Sequence, residues 1–385
     1  MDLTAASEVD STFSAPENEG LLTLDFYAPA AAADQVRRFA RDHPIDAVFG
    51  VDDRTAVVAA VIAEGLGLSH SPPHAVAAAG DKFKQRELLS AAGVPVPAYS
   101  LERLADPADE VACRTGYPCV LKPLDLSASR GVFRVDDPRA FADAHARLTA
   151  ILESADLDKR ITRRDSYLIE SYVPGAEYAL EGAILGGELR TLAVFDKPDP
   201  LEGPYFEETI YVTPARVARE VRDGLIDCAQ RAVEALGLTS GPVHAEIRHD
   251  GAQPWLIELA ARPIGGRCGQ GLRFGDNAEI TLEELHLSLA LGMRDVVPPR
   301  ERLASGVMMI PIPRPGVLRR VGGIESALAV PKVVDITITV APGVTLETIP
   351  EESRYLGFIF ARAESPDEVE QALRTAHAEL EVEIK

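Results

Sequence analysis

Two glutamates inside apolar runs constrain this chain more than any other feature. Glu246 lies in Gly-Pro-Val-His-Ala-Glu-Ile-Arg and Glu258 in Trp-Leu-Ile-Glu-Leu-Ala-Ala-Arg. Both runs read as buried strands, and the intervening His-Asp-Gly-Ala-Gln-Pro reads as a hairpin turn. A buried carboxylate is costly unless its charge is compensated. Two of them on neighbouring strands point to a shared divalent cation. Hard cations such as Mg²⁺ or Mn²⁺ take carboxylate oxygens, and Mg²⁺ commonly arrives with phosphates. The expectation is a metal pair, Glu246 and Glu258, with a nucleotide site upstream.

The 385-residue chain is 46% hydrophobic, enough for two or three domains with their own cores. Its formal net charge of −21 argues against a nucleic-acid partner, since affinity for a phosphate backbone comes from Lys and Arg. Cys113, Cys119, Cys228 and Cys268 lack metal-ligand spacing and read as free thiols of a reducing, cytoplasmic compartment. The opening Met-Asp-Leu-Thr-Ala-Ala-Ser has neither a basic n-region nor a long apolar run, so no membrane partner is expected.

Residues 1–98 alternate apolar runs with helical stretches: strands over 21–26 and 47–51, helices over 31–42 and 55–65. That alternation predicts a doubly wound α/β unit. Residues 99–300 read as α+β, with strands over 119–122, 167–172, 178–185 and 188–195, the two glutamate strands, and helices over 137–154 and 217–236. Residues 301–385 read as a third, α+β unit with strands over 307–312, 333–340 and 357–361. Its closing helix, 365–380, starts at a capping box formed by Ser365 and Glu368.

Several residues could carry chemistry. Lys122 ends an apolar strand and can present its ammonium to phosphate oxygens; it also reads as a snorkelling lysine. Ser127, Ser129, Arg130 and Gly131 form a small-residue loop suited to an anion, or an ordinary turn. Lys82 sits just after Asp81, an N-cap, where a cation is unhelpful to the helix unless an anion binds there. Glu170, Tyr172, Val173 and Glu177 span an acidic strand and a Pro-Gly bend that could meet an adenine edge and a ribose, or form a plain hairpin. Lys197 follows the next strand, and Glu207 and Glu208 lie in a proline-bounded loop that is either a substrate loop or a plain connection. His244 shares a strand face with Glu246 and reads as a structural or a catalytic histidine. Arg262 precedes the Pro263-Ile264-Gly265-Gly266 turn and could hold a substrate carboxylate by its planar fork, or pair a glutamate. Walker, dinucleotide and nucleophile-elbow motifs are absent.

The order of these residues resembles the ATP-grasp superfamily over most of the chain. The resemblance implies an ATP-grasp fold, with a doubly wound N-terminal domain, a lid at about 115–176 and an extra C-terminal domain. It implies phosphate contacts from Lys82 and Lys122, a phosphate loop over Ser127, Ser129, Arg130 and Gly131, and an adenine hinge at Glu170, Tyr172 and Val173. Glu177 falls at the ribose-binding position, and Glu246 and Glu258 at the Mg²⁺ ligands. The motifs Phe-Glu-Glu-Thr-Ile, His-Ala-Glu-Ile and Ile-Glu-Leu-Ala-Ala-Arg, with Arg354-Tyr355-Leu356-Gly357-Phe358, are similar to L-amino acid ligases. The activity this implies is ATP-dependent joining of a carboxylate to an amine through an acyl phosphate, most simply giving a dipeptide from two small-molecule amino acids. Arg262, Lys197 and His244 become catalytic candidates, and Glu207, Glu208, Arg262 and Gly266 substrate contacts. The alternatives are a biotin-carboxylase-like or purine-pathway enzyme of the same fold, and a non-catalytic ATP-binding protein.

Three departures stand out. Ala260 occupies a position where relatives often carry a metal-side Asn, and the phosphate loop has only Gly131 as its glycine. The residues from Asp2 to Ala6 resemble the relatives' second strand, which predicts a shortened N-terminal domain compensated by homodimer contacts.

Overall fold

The computed structural model describes residues 2–8, 21–154, 163–293 and 296–385. The N-terminal segment is organised by apolar burial. Strands β1 (Ala5–Ser7) and β2 (Leu21–Thr23) pair in parallel and are followed by helices α1 (Pro29–Phe39) and α2 (Asp53–Leu66). Leu24, Val36, Val58 and Ile62 bury one another between them. Asp52 accepts from the Thr55 amide at 2.8 Å to cap α2, and Gly67 closes that helix at φ +71°. The strand expected over 47–51 is not formed. These residues have an apolar run but no ladder partner among the described residues, and Val51 is 69% exposed. Apolar composition alone cannot supply the backbone partner a strand requires.

Helices α3 (Pro73–Ala79) and α4 (Lys82–Ala91) lead to a four-stranded antiparallel sheet. It contains β3 (Tyr99–Arg103), β4 (Cys119–Pro123), β5 (Phe133–Val135) and β6 (Ser166–Ser171), in the order β3-β6-β4-β5. Strand β3 was not anticipated from sequence. Helices α5 (Ala108–Arg114) and α6 (Pro138–Leu152) cover this sheet, with Leu121, Phe133, Phe141 and Leu148 buried between the layers.

The chain then builds an eight-stranded sheet. It begins with β7 (Ala176–Leu185), β8 (Glu188–Asp196) and β9 (Ile210–Thr213), passes through α7 (Arg219–Leu236), and returns as β10 (Ser240–His249) and β11 (Pro254–Ala260). Strand alternation sends Leu180, Ile184, Val243 and Ala245 toward the buried face of α7. The opposite face carries Glu177, Glu181, His244 and Glu246, because directly opposed residues in an antiparallel ladder share a face. A short hairpin, β12 (Arg273–Phe274) and β13 (Ile280–Thr281), precedes α8 (Leu282–Ala290).

The C-terminal segment does not start a separate main sheet. Its first strand, β14 (Ala304–Ile310), pairs with β9. Strand β15 (Gly316–Gly322) and helix α9 (Ile324–Leu328) come next, followed by β16 (Val333–Ile338), β17 (Thr345–Leu346) and β18 (Gly357–Ala363). The final sheet order is β11-β10-β7-β8-β9-β14-β18-β16, continuous across the Pro-Pro stretch near residue 298. Helix α10 (Pro366–Ala378) packs Val369 and Leu373 against it, and its Ser365–Glu368 capping box is formed as the sequence predicts. Strand β19 (Glu381–Ile384) then pairs with β15. The four cysteines are free, and among the described residues no helix is long and apolar enough to cross a membrane.

Candidate active site

Glu246 on β10 and Glu258 on β11 are direct cross-strand partners. They line a cavity of 520 Å³ whose walls come from every part of the chain: Asp53 from α2, Lys122 and Glu170 from the four-stranded sheet, and Arg354 from the C-terminal segment. Lys82, at the first turn of α4, approaches Glu258 at 3.3 Å and donates to the Leu126 carbonyl at 2.8 Å. The electrostatic oddity of a lysine at a helix start is thus compensated by a carboxylate across the cavity.

Lys122 is buried at 2.6 Å from Glu170. Arg86, which sequence reasoning did not single out, donates to the other Glu170 oxygen at 2.6 Å and also to the Ile257 carbonyl. Burial pushes the Glu170 carboxyl up, but Arg86 and Lys122 outweigh it and hold the group down at about 2. The available signal was spacing: Arg86 follows Lys82 by one helical turn and points to the same side.

The densest charge cluster surrounds Lys197. Its ammonium lies 2.6 Å from Glu177, 2.7 Å from Glu208 and 3.2 Å from Glu246. Burial disfavours the charged lysine, but these carboxylates hold its pKa well above the ordinary value. Glu246 is likewise penalised by burial, yet Lys197 and His244 keep it well below the usual carboxylate range. Glu208 moves the other way, pushed up by burial, and accepts from the Tyr211 hydroxyl at 2.5 Å. His244 Nε2 is 3.7 Å from Glu246, and its buried Nδ1 has no hydrogen-bond partner among the described residues.

Arg248, a second residue not foreseen, ties the hinge to the sheet. It donates to Glu177 at 2.9 Å, to the Val173 carbonyl at 2.6 Å and to the Leu201 carbonyl, with its guanidinium over the Tyr172 ring. Glu177 is therefore engaged by both Lys197 and Arg248. The legible signal was the alternation of His244, Glu246 and Arg248 along one strand face.

Other predicted residues divide between the cavity and its supports. Ser127 and Ser129 line it, as do Tyr172, Val173, Glu208, Arg262 and Gly266. Arg262 is held 3.1 Å from Asp53, which ties the turn over 263–266 to the N-terminal segment. Arg130 and Gly131 instead turn toward the C-terminal segment: Arg130 Nε donates to the Glu351 carbonyl and the Gly131 amide to the Pro350 carbonyl, both at 2.9 Å. Two non-glycine residues of this loop, Ala128 and Ser129, take left-handed conformations at φ +51° and +57°. Lys197 and Glu207 lie outside the cavity wall, and burial raises the Glu207 pKa.

The donor set suits a hard cation. Oxygens of Glu177, Glu208 and Glu246 lie within 4.8 Å of one another. Lys197 contacts all three, and Glu246 also faces its cross-strand partner Glu258 on the cavity wall. The anionic state of Glu246 fits metal ligation, which requires a deprotonated carboxylate.

Comparison with known proteins identifies the domains that carry this cavity. A model of the ATP-grasp domain matches residues 115–271, the ATP-grasp N-terminal domain matches 4–70, and L-amino acid ligase C-terminal domain 2 matches 308–385. An uncharacterized protein of Sinorhizobium fredii is 29% identical over 316 residues, covering 82% of this chain and 63% of its own. Alanine–anticapsin ligase of Bacillus subtilis is 28% identical over 272 residues, covering 66% of this chain and 56% of its own. This chain thus spans only part of the length of those two relatives. The crystal structure of L-amino acid ligase from Bacillus licheniformis superposes with a TM-score of 0.83 at 26% identity, covering 99% of this chain and 92% of that one. From the matched domains and the shared architecture, the chain belongs to the ATP-grasp superfamily and carries the C-terminal domain of its L-amino acid ligase branch.

Proposed function

We propose that this chain is an ATP-dependent ligase that joins the carboxylate of one amino acid to the amine of another, releasing ADP and phosphate. The observation that carries this reading is the cross-strand pair Glu246–Glu258, set in one cavity with Lys82, Lys122 and Arg262. Glu246 and Glu258 would hold a Mg²⁺ ion, which would supply positive charge against that of the transferring group. Lys82 and Lys122 add fixed positive charge on the phosphate side. Arg262, braced by Asp53 at 3.1 Å, orients the donor carboxylate.

In the first step a carboxylate oxygen of the donor attacks the γ-phosphorus and ADP leaves. In the second the amine nitrogen attacks the acyl carbon, the carbon–oxygen bond breaks, and phosphate departs with that oxygen. His244, on the cavity wall, is the acceptor for the amine proton. The loop carrying Ser127 and Ser129, anchored at Pro350 and Glu351, keeps water from the acyl phosphate. Glu207 and Glu208 are the substrate-loop acids, with Glu208 on the cavity wall as the ammonium contact.

The reading also includes a cytoplasmic setting, in keeping with the free thiols, and a homodimer. The two-stranded β1–β2 sheet, flanked by Leu3 at 55% exposure, is its expected contact. A donor amino acid labelled with heavy oxygen in its carboxylate tests the chemistry. One labelled oxygen should appear in the released phosphate. Phosphate without label would rule out the acyl-phosphate route.

A further inference from the structure

One wall of the cavity has no part in the mechanism above. It is contributed by the C-terminal segment and consists of Thr339, Ser353, Arg354, Tyr355 and Phe358. Among the described residues, the lysines and arginines lining the cavity are Lys82, Lys122, Arg248, Arg262 and Arg354. The first four are committed to carboxylates: Lys82 to Glu258 at 3.3 Å, Lys122 to Glu170 at 2.6 Å, Arg248 to Glu177 at 2.9 Å and Arg262 to Asp53 at 3.1 Å. Among the described residues Arg354 pairs with Glu352 alone, at 3.6 Å, beyond hydrogen-bonding distance, and its side chain is 45% exposed.

The proposed chemistry creates a need for such a cation. The donor's carboxylate is consumed when it becomes the acyl phosphate. The amine partner keeps its own carboxylate as an anion from binding to release. That anion enters a cavity already crowded with glutamates and requires a positive group not already assigned to the phosphates, to the donor carboxylate or to Glu177. We infer that Arg354 holds the free α-carboxylate of the amine substrate, an inference that rests on the ligase reading above.

The placement of Arg354, beside Tyr355 on the same wall, supports it. The backbone that carries both residues is fixed: Thr339 Oγ1 donates to the Tyr355 and Leu356 carbonyls, each at 3.3 Å. The same stretch anchors the phosphate loop through Pro350 and Glu351. Binding of the second substrate and closure over the phosphates therefore act on one short segment. Selection follows from this arrangement: the enzyme should prefer an amine partner with a free carboxylate over the corresponding primary amide.

The test uses the full chain and an amine-partner amino acid that is productive with the unmodified enzyme, compared with its primary amide. A charge-assisted contact of this type predicts a preference for the free acid of roughly ten- to a hundredfold in kcat/KM. Arg354→Gln should remove most of that preference through the KM of the free acid, leaving the KM for ATP and for the donor unchanged. Arg354→Lys should keep part of it. Arg354→Gln that retains the full acid-over-amide preference would overturn the subsite while leaving the ligase reading intact. An unmodified enzyme that forms no amide from any pair would overturn the ligase reading and this subsite together, and that result is visible before any variant is made.

Discussion

Glu246 and Glu258 face each other directly across the β10–β11 ladder, and each has its own lysine: Lys197 at 3.2 Å from the first and Lys82 at 3.3 Å from the second. The lysines stabilise two carboxylates that would otherwise repel. Glu258→Gln keeps the shape of the strand and removes one anionic ligand. It should lower turnover by at least about a hundredfold while thermal unfolding stays close to the unmodified chain. Phosphate release and circular dichroism on the same preparation check both halves. Normal turnover would remove Glu258 from the metal site.

Glu170 gives a pH prediction. Its folded-state pKa is held at about 2, below the ordinary 4.5. A depressed carboxyl pKa stabilises the fold above the unfolded-state value, and that stabilisation is lost as pH falls toward the folded-state value. Stability should therefore drop as pH is lowered from about 4.5 to about 2. Glu170→Gln should be less stable at neutral pH, by about 3–5 kcal/mol for breaking a buried ion pair, and its pH dependence in this window should be flatter. Denaturant titrations at several pH values provide the measurement.

Lys197→Met leaves Glu177, Glu208 and Glu246 facing one another without their shared cation. At neutral pH this should cost about 3–5 kcal/mol of stability. Crowded carboxylates acquire raised folded-state pKa values, so protonation relieves the repulsion. The deficit should shrink as pH falls and grow as pH rises, the same direction as the deficit of Glu170→Gln. A deficit independent of pH would contradict the charge cluster as its cause.

Glu351 joins the C-terminal segment to the four-stranded unit, pairing with Arg147 at 2.7 Å and accepting from Arg130 at its carbonyl. Glu351→Ala keeps the carbonyl that accepts from Arg130 but removes the carboxylate that holds Arg147 of α6, so the C-terminal segment should sit less tightly on the four-stranded unit and on the 127–131 loop, and let water reach the acyl phosphate. The ratio of ATP consumed to amide formed should rise by roughly two- to fivefold. Parallel assays of ADP and product give this ratio, and a ratio equal to that of the unmodified chain would mean that the anchor is irrelevant to water exclusion.

Local signals in the sequence were readable wherever local physics decides the outcome. The glutamate strands follow from their apolar runs and the turn between them, and α10 follows from Ser365 and Glu368 three positions apart. Non-local pairing was not readable. The run 47–51 has strand-like composition but no ladder partner among the described residues, and the β9–β14 pairing that makes one sheet of two segments has no local signature. The same limit hid Arg86 and Arg248. Each is an arginine whose meaning lies in a carboxylate far along the chain, Glu170 for the first and Glu177 for the second. Lys82 looked unfavourable at its helix start because its compensating partner, Glu258, lies on a distant strand.

The central claim is amide formation from two amino acids at the expense of ATP. Its most direct test is phosphate release with ATP and Mg²⁺ against the proteinogenic L-amino acids, singly and in pairs, with mass spectrometry of the products. The account predicts release that depends on particular pairs and a product with the mass of the matching dipeptide. ATP binding with no pair-dependent release and no dipeptide mass would contradict it.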